Sequence, residues 1–260
     1  MSQITEVLYV MKKLSIFPII LVLILMMFIW GCDSVTTSDS TGQYYLIGGL
    51  VKNLDLDLAQ TVVYMEKNDS LFDDATIVFD NDTLIYNGVD ELYWSENTAS
   101  GVSQGSNILR VSDSPNLSEL LSYTVPGDFQ ITSIQLPEDR TNNGGDPVPI
   151  IWSLSLGSDG YFYSVNLKDS AYTTAGFSEF VTTGTASTTI PRDAFQLYSD
   201  LDTGWYYVYV CSYDGSPASD YNLPTAIPPG LTENISKIRL SGQFGTIVVT
   251  PRDSIHVTLQ

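Results

Sequence analysis

From Tyr44 to the C-terminus, the sequence consists of short runs of Val, Ile, Tyr and Thr in which apolar and polar residues alternate. A period of two residues is typical of β-strands that bury one face, because successive side chains point to opposite sides of a strand. Gly, Asn, Asp and Pro separate the runs at close intervals, and no long helical period is present. The pattern therefore predicts an all-β fold.

Breaks between strands divide this pattern into two parts. Pro126-Gly127 stands between two apolar runs, and a sheet strand does not easily continue through such a pair. We therefore predict one β-sandwich domain over 44–126 and a second over 127–260. Asp80-Asn81-Asp82 joins two runs with residues that tolerate left-handed backbone, which predicts a tight hairpin. The strands predicted up to residue 136 are 44–51, 59–66, 75–79, 83–86, 91–94, 107–111, 120–125 and 129–136.

The second half has a tryptophan and a tyrosine in a familiar order of strands. Trp152 lies in the run PIIWSL, GYFYSVNL follows at 160–167, and STTIPRDAFQLYSDLDTGWYYVYVCSYDG covers 187–215. Over about residues 128–213 this order resembles fibronectin type III and related immunoglobulin-like domains. The resemblance implies that Trp152 is a core residue and that Tyr206 is a corner tyrosine bonded to upstream backbone. A Pro-rich loop over 214–234 then precedes strands predicted at 237–240, 246–250 and 254–259.

The N-terminal segment has the three parts of an export signal. A short basic region, Lys12-Lys13, precedes the uncharged apolar run 16–30, and Cys32 follows two positions later. The sequence Ile29-Trp30-Gly31-Cys32 resembles the lipobox of bacterial lipoproteins. The resemblance implies that a signal peptide over 1–31 is removed and that Cys32 is acylated and becomes the new N-terminus.

An uncleaved signal anchor is the competing interpretation of the same run. A helix rises about 1.5 Å per residue, so residues 16–30 would span only about 22 Å of a hydrocarbon core roughly 30 Å thick. This length favours the cleaved signal, and a buried helix is the third alternative. In both leading interpretations the lysines stay inside and the rest of the chain is exported. We expect translation to start at Met11, because residues 1–10 carry Glu6 and no basic residue.

The segment after the signal points to a cell-envelope protein. Residues 33–43, DSVTTSDSTGQ, are polar and predict a flexible tether. The layout of lipobox, tether, two immunoglobulin-like domains and a late NISKIRLSGQFG segment is similar to surface lipoproteins of Bacteroidetes-like bacteria. This similarity implies an extracytoplasmic protein whose membrane partner is reached through acyl chains on Cys32. It favours the outer membrane or the cell surface over the inner membrane.

Net charge excludes one class of partner. Removal of residues 1–31 takes away Glu6, Lys12 and Lys13, so 29 acidic residues remain against 9 basic ones, a net charge of −20. A surface this acidic repels nucleic acids and anionic lipid headgroups. We therefore expect no nucleic-acid partner and a membrane link made by lipid rather than by a basic patch.

The strand over 205–213 is the main candidate for a binding surface. If Tyr206 and its alternate neighbours face the core, the remaining side chains of the strand line the opposite face. Exposed rings stack on sugars or anchor protein partners, whereas tyrosines also suit half-buried strands, and the 214–234 loop is an alternative cover. Cys211, on the same face, has no thiol partner once Cys32 is acylated and is predicted to be packed and unreactive. The predicted ligand-binding residues are Trp205, Tyr207, Tyr209 and Tyr213.

Other chemistry-bearing residues form weaker patterns. Asp200 and Asp202, in DLDTG, come nearest to a calcium loop without completing it, so we expect a solvated turn and no cofactor, with calcium as the alternative. GVSQG at 101–105 matches the nucleophile elbow of hydrolases, but its surroundings predict a loop leading into a strand. His256, the only histidine, alternates with apolar neighbours and is predicted to lie on the surface.

Together these features predict a non-enzymatic, lipid-anchored envelope protein that acts as a binding or structural module. Its expected partner is an extracellular glycan or an envelope protein. One alternative is a carbohydrate-binding accessory lipoprotein of a polysaccharide-uptake system. The other is an envelope hydrolase whose site the sequence does not reveal.

Overall fold

A computed structural model of the protein describes residues 43–168, 176–182, 184–196, 202–219 and 221–259. The signal segment with Cys32, the tether up to residue 42, and Asp200 lie outside the described residues. Within the described ranges the regular elements are β-strands and two short 3-10 helices, Ala99–Gly101 and Arg192–Phe195, which confirms the all-β class. Among these residues no helix is both long and apolar enough to cross a membrane.

The strands are numbered in chain order. Those of the first half are β1 Tyr44–Asn53, β2 Leu58–Lys67, β3 Ser70–Leu71, β4 Thr76–Phe79, β5 Asp82–Thr83, β6 Ile85–Asn87, β7 Leu92–Asn97, β8 Gly105–Asp113 and β9 Leu117–Val125. Those that follow are β10 Ile131–Ile134, β11 Thr141–Asn143, β12 Val148–Trp152, β13 Gly160–Leu167, β14 Phe177–Phe180, β15 Ser187–Ile190, β16 Gly204–Gly215, β17 Ile235–Ser236, β18 Leu240–Gln243, β19 Gly245–Val249 and β20 Asp253–Thr258.

Burial alternates along the strands as the sequence pattern predicts. In β8, Asn107, Leu109 and Val111 are buried while the residues between them are exposed. The predicted hairpin forms between β4 and β5, where Phe79 pairs with Asp82 and Asp80 adopts a φ of 54°. Local residue choice is therefore sufficient to set these elements.

The first half packs as two facing sheets. Strands β1, β2, β7 and β6 lie side by side in that order, and β5, β4, β8 and β9 form a separate four-stranded sheet. Side chains from both sheets, such as Val63 and Met65 on β2 and Leu109 on β8, belong to one buried cluster. Two sheets that bury their inner faces against each other form a β-sandwich.

The second half repeats this arrangement with a small sheet, β10-β12-β15, beside the strands β14, β13, β16 and β20. Trp152 on β12 is buried, and its ring centroid lies 5.5 Å from that of Tyr161 on β13. The Tyr206 hydroxyl on β16 donates a hydrogen bond to the Asp202 carbonyl at 2.8 Å. The core tryptophan and the corner tyrosine are therefore confirmed.

Strand β1 joins both halves in one sheet. It pairs with β2 on one side and, in parallel, with β18 and then β19 on the other, with Leu50 opposite Thr246. The ring centroid of Phe244, between β18 and β19, lies 4.8 Å from that of Tyr123 on β9. The last strands thus return to the first half after the chain has built the second.

A glycine permits this close pairing of β18 with β1. Gly242 has a φ of +136°, and a Cβ atom added to it would lie 1.9 Å from the Leu46 carbonyl oxygen. Any side chain at this position would therefore separate the two strands.

The predicted domain boundary falls between two halves that share a sheet. Pro126-Gly127 lies between β9 and β10, and strands from both sides of it belong to one hydrogen-bonded sheet. The β18 strand of the second half pairs with β1 of the first, and the domain bounds 44–126 and 127–260 stay a prediction. The strand predicted over 237–240 is wrong, because residues 237–239 form the turn between β17 and β18 and only Leu240 lies in a strand. The Lys237 N–H closes this turn by donating to the Leu240 carbonyl at 2.8 Å.

Candidate binding surface

Strand β16 has one inward and one outward face, as the alternation predicts. Tyr206, Val208 and Val210 are fully buried in the main core. Since side chains alternate along a strand, Trp205, Tyr207, Tyr209, Cys211 and Tyr213 share the outer face of the sheet. The predicted composition of this face is confirmed, whereas its exposure differs from one end to the other.

The segment after β16 covers the C-terminal end of the outer face. Its described residues, 216–219 and 221–234, are called the covering loop, and its Leu223 and Ile227 pack on a second buried cluster. Burial raises the pKa of the Cys211 thiol, so the thiolate is disfavoured and the predicted packed cysteine is confirmed. The cluster consists of Val51, Phe162, Tyr209, Cys211, Ile247 and Val249.

Two tyrosines of the predicted surface belong to this covered end. Tyr209 is only 8% exposed, and the Tyr213 ring centroid lies 5.5 Å from that of Phe180. Burial also raises the pKa of both phenols. Tyr209 is therefore a packing residue of the cluster on which the covering loop lies, and Tyr213 packs on Phe180 of β14. A ligand-binding role for these two tyrosines stays a prediction.

The N-terminal end of β16 remains open. Trp205 is 40% exposed, and its ring stacks on that of His256 with centroids 4.8 Å apart and planes 17° from parallel. The two residues are cross-strand partners on β16 and β20. His256 lies between the buried Ile255 and Val257 and points outward, as predicted. The pair forms a flat, partly solvated aromatic surface.

Tyr207 extends this surface and carries cations on its ring. The Arg252 guanidinium lies 4.7 Å from the ring centroid, and the Lys168 ammonium lies 5.9 Å from it. The Asp55 carboxylate holds Arg252 in place: it accepts a hydrogen bond from the Arg252 backbone N–H at 3.2 Å and lies 3.7 Å from Arg252 Nε. The negative charge of Asp55 also raises the pKa of Arg252. The result is an aromatic surface with positive charge on a strongly acidic protein.

Sequence reasoning missed Arg252 and Lys168. Arg252 reaches Tyr207 because β20 pairs with β16, and Lys168 directly follows β13, the other neighbour of β16. Strand pairing between distant segments is not visible in a single sequence. The only signal was the position of Arg252 just before a predicted strand.

The other two sites considered from the sequence were a calcium turn at Asp202 and a nucleophile at Ser103. Asp202 carries the carbonyl that accepts the Tyr206 bond, and among the described residues no group of three or more His, Cys, Asp or Glu side chains could hold a metal ion. Ser103 lies on a loop between the 3-10 helix Ala99–Gly101 and strand β8, as predicted. A nucleophile elbow requires a strand before it and a helix after it, and this loop leads into a strand.

No protein-family model matches the chain, and neither does any curated protein. Solved structures similar to it include the fibronectin(III)-like modules of Clostridium thermocellum CbhA, with 9% identity, a TM-score of 0.25, and coverage of 82% of this chain and 90% of that one. A cytokine receptor complex has 11% identity, a TM-score of 0.27, and coverage of 80% and 94%. A Bacteroides ovatus glucan-utilization protein, SGBP-B with a mixed-linkage heptasaccharide, has 12% identity, a TM-score of 0.22, and coverage of 77% and 42%. At these TM-scores the likenesses carry no argument about function.

Proposed function

We propose that the protein is a non-enzymatic binding module of the bacterial cell envelope, anchored by acyl chains on Cys32. The lipobox-like sequence and the polar tether support the anchor, and they favour the outer membrane or the cell surface. The surroundings of Ser103 do not support a hydrolase site there, because a nucleophile elbow requires a strand before the serine and a helix after it.

The open surface of Trp205 and Tyr207 carries the binding proposal. An indole ring that is 40% exposed and stacked on His256 is held in one orientation before any ligand arrives. A rigid, partly apolar ring of this kind is a frequent anchor in interfaces. Arg252 and Lys168 add hydrogen-bond donors beside the rings.

Carbohydrate binding is the second candidate, and the same surface favours it. Flat rings pack against the C–H faces of sugars, while the guanidinium and ammonium groups donate to hydroxyl or carboxylate oxygens. The positive groups over Tyr207 favour acidic sugars at this surface.

The anchor is tested by feeding cells a tagged fatty acid and comparing the wild type with Cys32→Ala. We expect label on the wild type alone. Protease added to intact cells then locates the folded part: digestion indicates surface display, and protection indicates the periplasm. Absence of label on the wild type would contradict the lipid anchor.

Binding is tested with a glycan array and a pull-down from envelope fractions, using the wild type and Trp205→Ala. We expect at least one retained partner, lost or strongly weakened in the variant. Ile238→Ala is the matched control, because Ile238 is a 92% exposed apolar residue in the turn between β17 and β18. Empty screens together with turnover of a sugar polymer would overturn the proposal.

A further inference from the structure

A second concave site lies on the outer face of the first half. Trp94 on β7 stands between Val62 on β2 and Ile85 on β6, since these three are cross-strand neighbours. Tyr221 of the covering loop lines the same site, a cavity of about 150 Å³. Trp94 is 38% exposed and Tyr221 is 44% exposed, so both rings are open to a ligand.

Hydrogen bonds hold the polar rim of this cavity in place. The Asn87 side-chain amide donates to Asp90 Oδ2 at 2.7 Å, and Asn87 Oδ1 accepts from the Val89 N–H at 3.0 Å. Asn87, Asp90 and Gln60 all line the cavity. The site therefore offers planar amide and carboxylate groups in a fixed position beside two aromatic rings.

Hydrogen bonds also hold the covering loop beside the cavity. The Asn53 side chain donates to the Asn222 carbonyl at 2.9 Å, and the Asn222 amide donates to Gln60 Oε1. Asn222 also has a φ of 61°, a backbone conformation that asparagine tolerates better than most residues. These contacts place Tyr221, the preceding residue, over β2 without help from a ligand.

Size restricts what the cavity can hold. A volume of about 150 Å³ is below the roughly 300 Å³ at which pockets for drug-sized ligands begin, and an engineered cavity of about this size accommodates benzene. One six-membered ring fits, with the rest of a longer ligand outside.

The charge and the chemical groups of the lining residues further restrict the class of ligand that the cavity can bind. Among the residues that the structure describes, no lysine, arginine or histidine lines the cavity, and Asp90 lies on its rim. The chain has a formal charge of −19, so an anion is disfavoured. Val62, Leu92 and the two rings provide an apolar wall, while the amides and the carboxylate match hydroxyl groups. We infer that this cavity binds one pyranose ring of a neutral saccharide. The site is separate from the Trp205 surface, which carries cations.

The test uses the full lipidated chain in a detergent without sugar headgroups and the methyl pyranosides of glucose, galactose and mannose. Ligand-observed NMR titration should detect at least one of them at a Kd of about 1 mM, which is reasonable for a single ring. Trp94→Ala and Tyr221→Ala should each weaken binding by about tenfold or more. Tyr221→Phe should keep it, because the ring carries the contact.

Thermal unfolding identifies any Trp94→Ala protein that has lost its fold. Tyr221→Ala tests the same site without altering a strand. Failure of every glycoside to bind, or preferential binding of choline, would overturn the inference. Loss of glycoside binding in Trp205→Ala but not in the Trp94 or Tyr221 variants would also overturn it, while leaving the proposed function intact.

Discussion

The two ends of β16 present similar residues on one face, yet the rings at its start are more exposed than Tyr209 further along. Trp205 and Tyr207 at the start are open or half-buried, whereas Tyr209 and Cys211 further along are buried beneath the covering loop. Alternation along the strand is the same throughout. The difference teaches that a strand pattern decides which face a ring occupies, and another segment decides whether that face is a surface.

The largest expected effect is a difference in stability between variants at the two ends of β16. Tyr209→Ala should lower the free energy of unfolding by about 3 kcal/mol, because it leaves a cavity in a closed cluster. Trp205→Ala should cost less than about 1 kcal/mol, since much of its ring is already solvated. Urea denaturation of both variants measures the difference, and equal losses would contradict the distinction between the ends.

The second prediction concerns a substitution in the covering loop. Ile227→Ala should destabilise the protein by about 1–2 kcal/mol, less than a fully buried isoleucine would, because Ile227 is only partly buried. In a Cys32→Ala background, Cys211 should then react with a thiol reagent about 5- to 30-fold faster. The exposed Ile238→Ala serves as the control and should leave the labelling rate unchanged.

The third prediction concerns the pH dependence of stability at Asp214, near the C-terminal end of β16. Burial raises the pKa of Asp214 above its ordinary value of 3.8, although its carboxylate accepts the Thr124 N–H at 2.7 Å. A raised folded-state pKa favours folding below pH 3.8, and this contribution is lost as the pH rises through the folded value.

Asp214→Asn keeps an acceptor for Thr124 and removes the buried charge. The variant should therefore gain stability relative to the wild type as the pH rises from below 3.8 towards neutrality. Denaturation curves of both proteins across this range measure the difference. A constant gap between them would show that Asp214 does not titrate differently in the folded state.

The smallest effect belongs to the open end. Arg252→Met should lower the free energy of unfolding only slightly, because it removes a cation from the Tyr207 ring and an exposed pair with Asp55. Added salt should shrink this difference, since it screens the exposed pair. Partner retention by Arg252→Met in the binding screens would show that the guanidinium is not needed for recognition.

Much of the fold could be predicted from local pattern. The hairpin at Asp80 depends on residues close in sequence. The buried Trp152 and the Tyr206 bond to upstream backbone were implied by the resemblance to fibronectin type III domains. The role of β18 beside β1 could not, because pairing partners far apart in the chain leave no local signature. For the same reason the cations over Tyr207 were missed, as was the cavity between Trp94 and Tyr221.

The sequence by itself determined many of the strand positions, the hairpin at Asp80, the side of β16 on which each ring lies, and the acidic charge. These follow from the two-residue period of a strand, the backbone preferences of single residues, and simple counting. Only the tertiary structure decided that the chain's last strands complete its first sheet and that a loop buries half of the aromatic face. Such outcomes depend on which distant surfaces exclude water together, and that free energy is a property of the assembled fold rather than of any one segment.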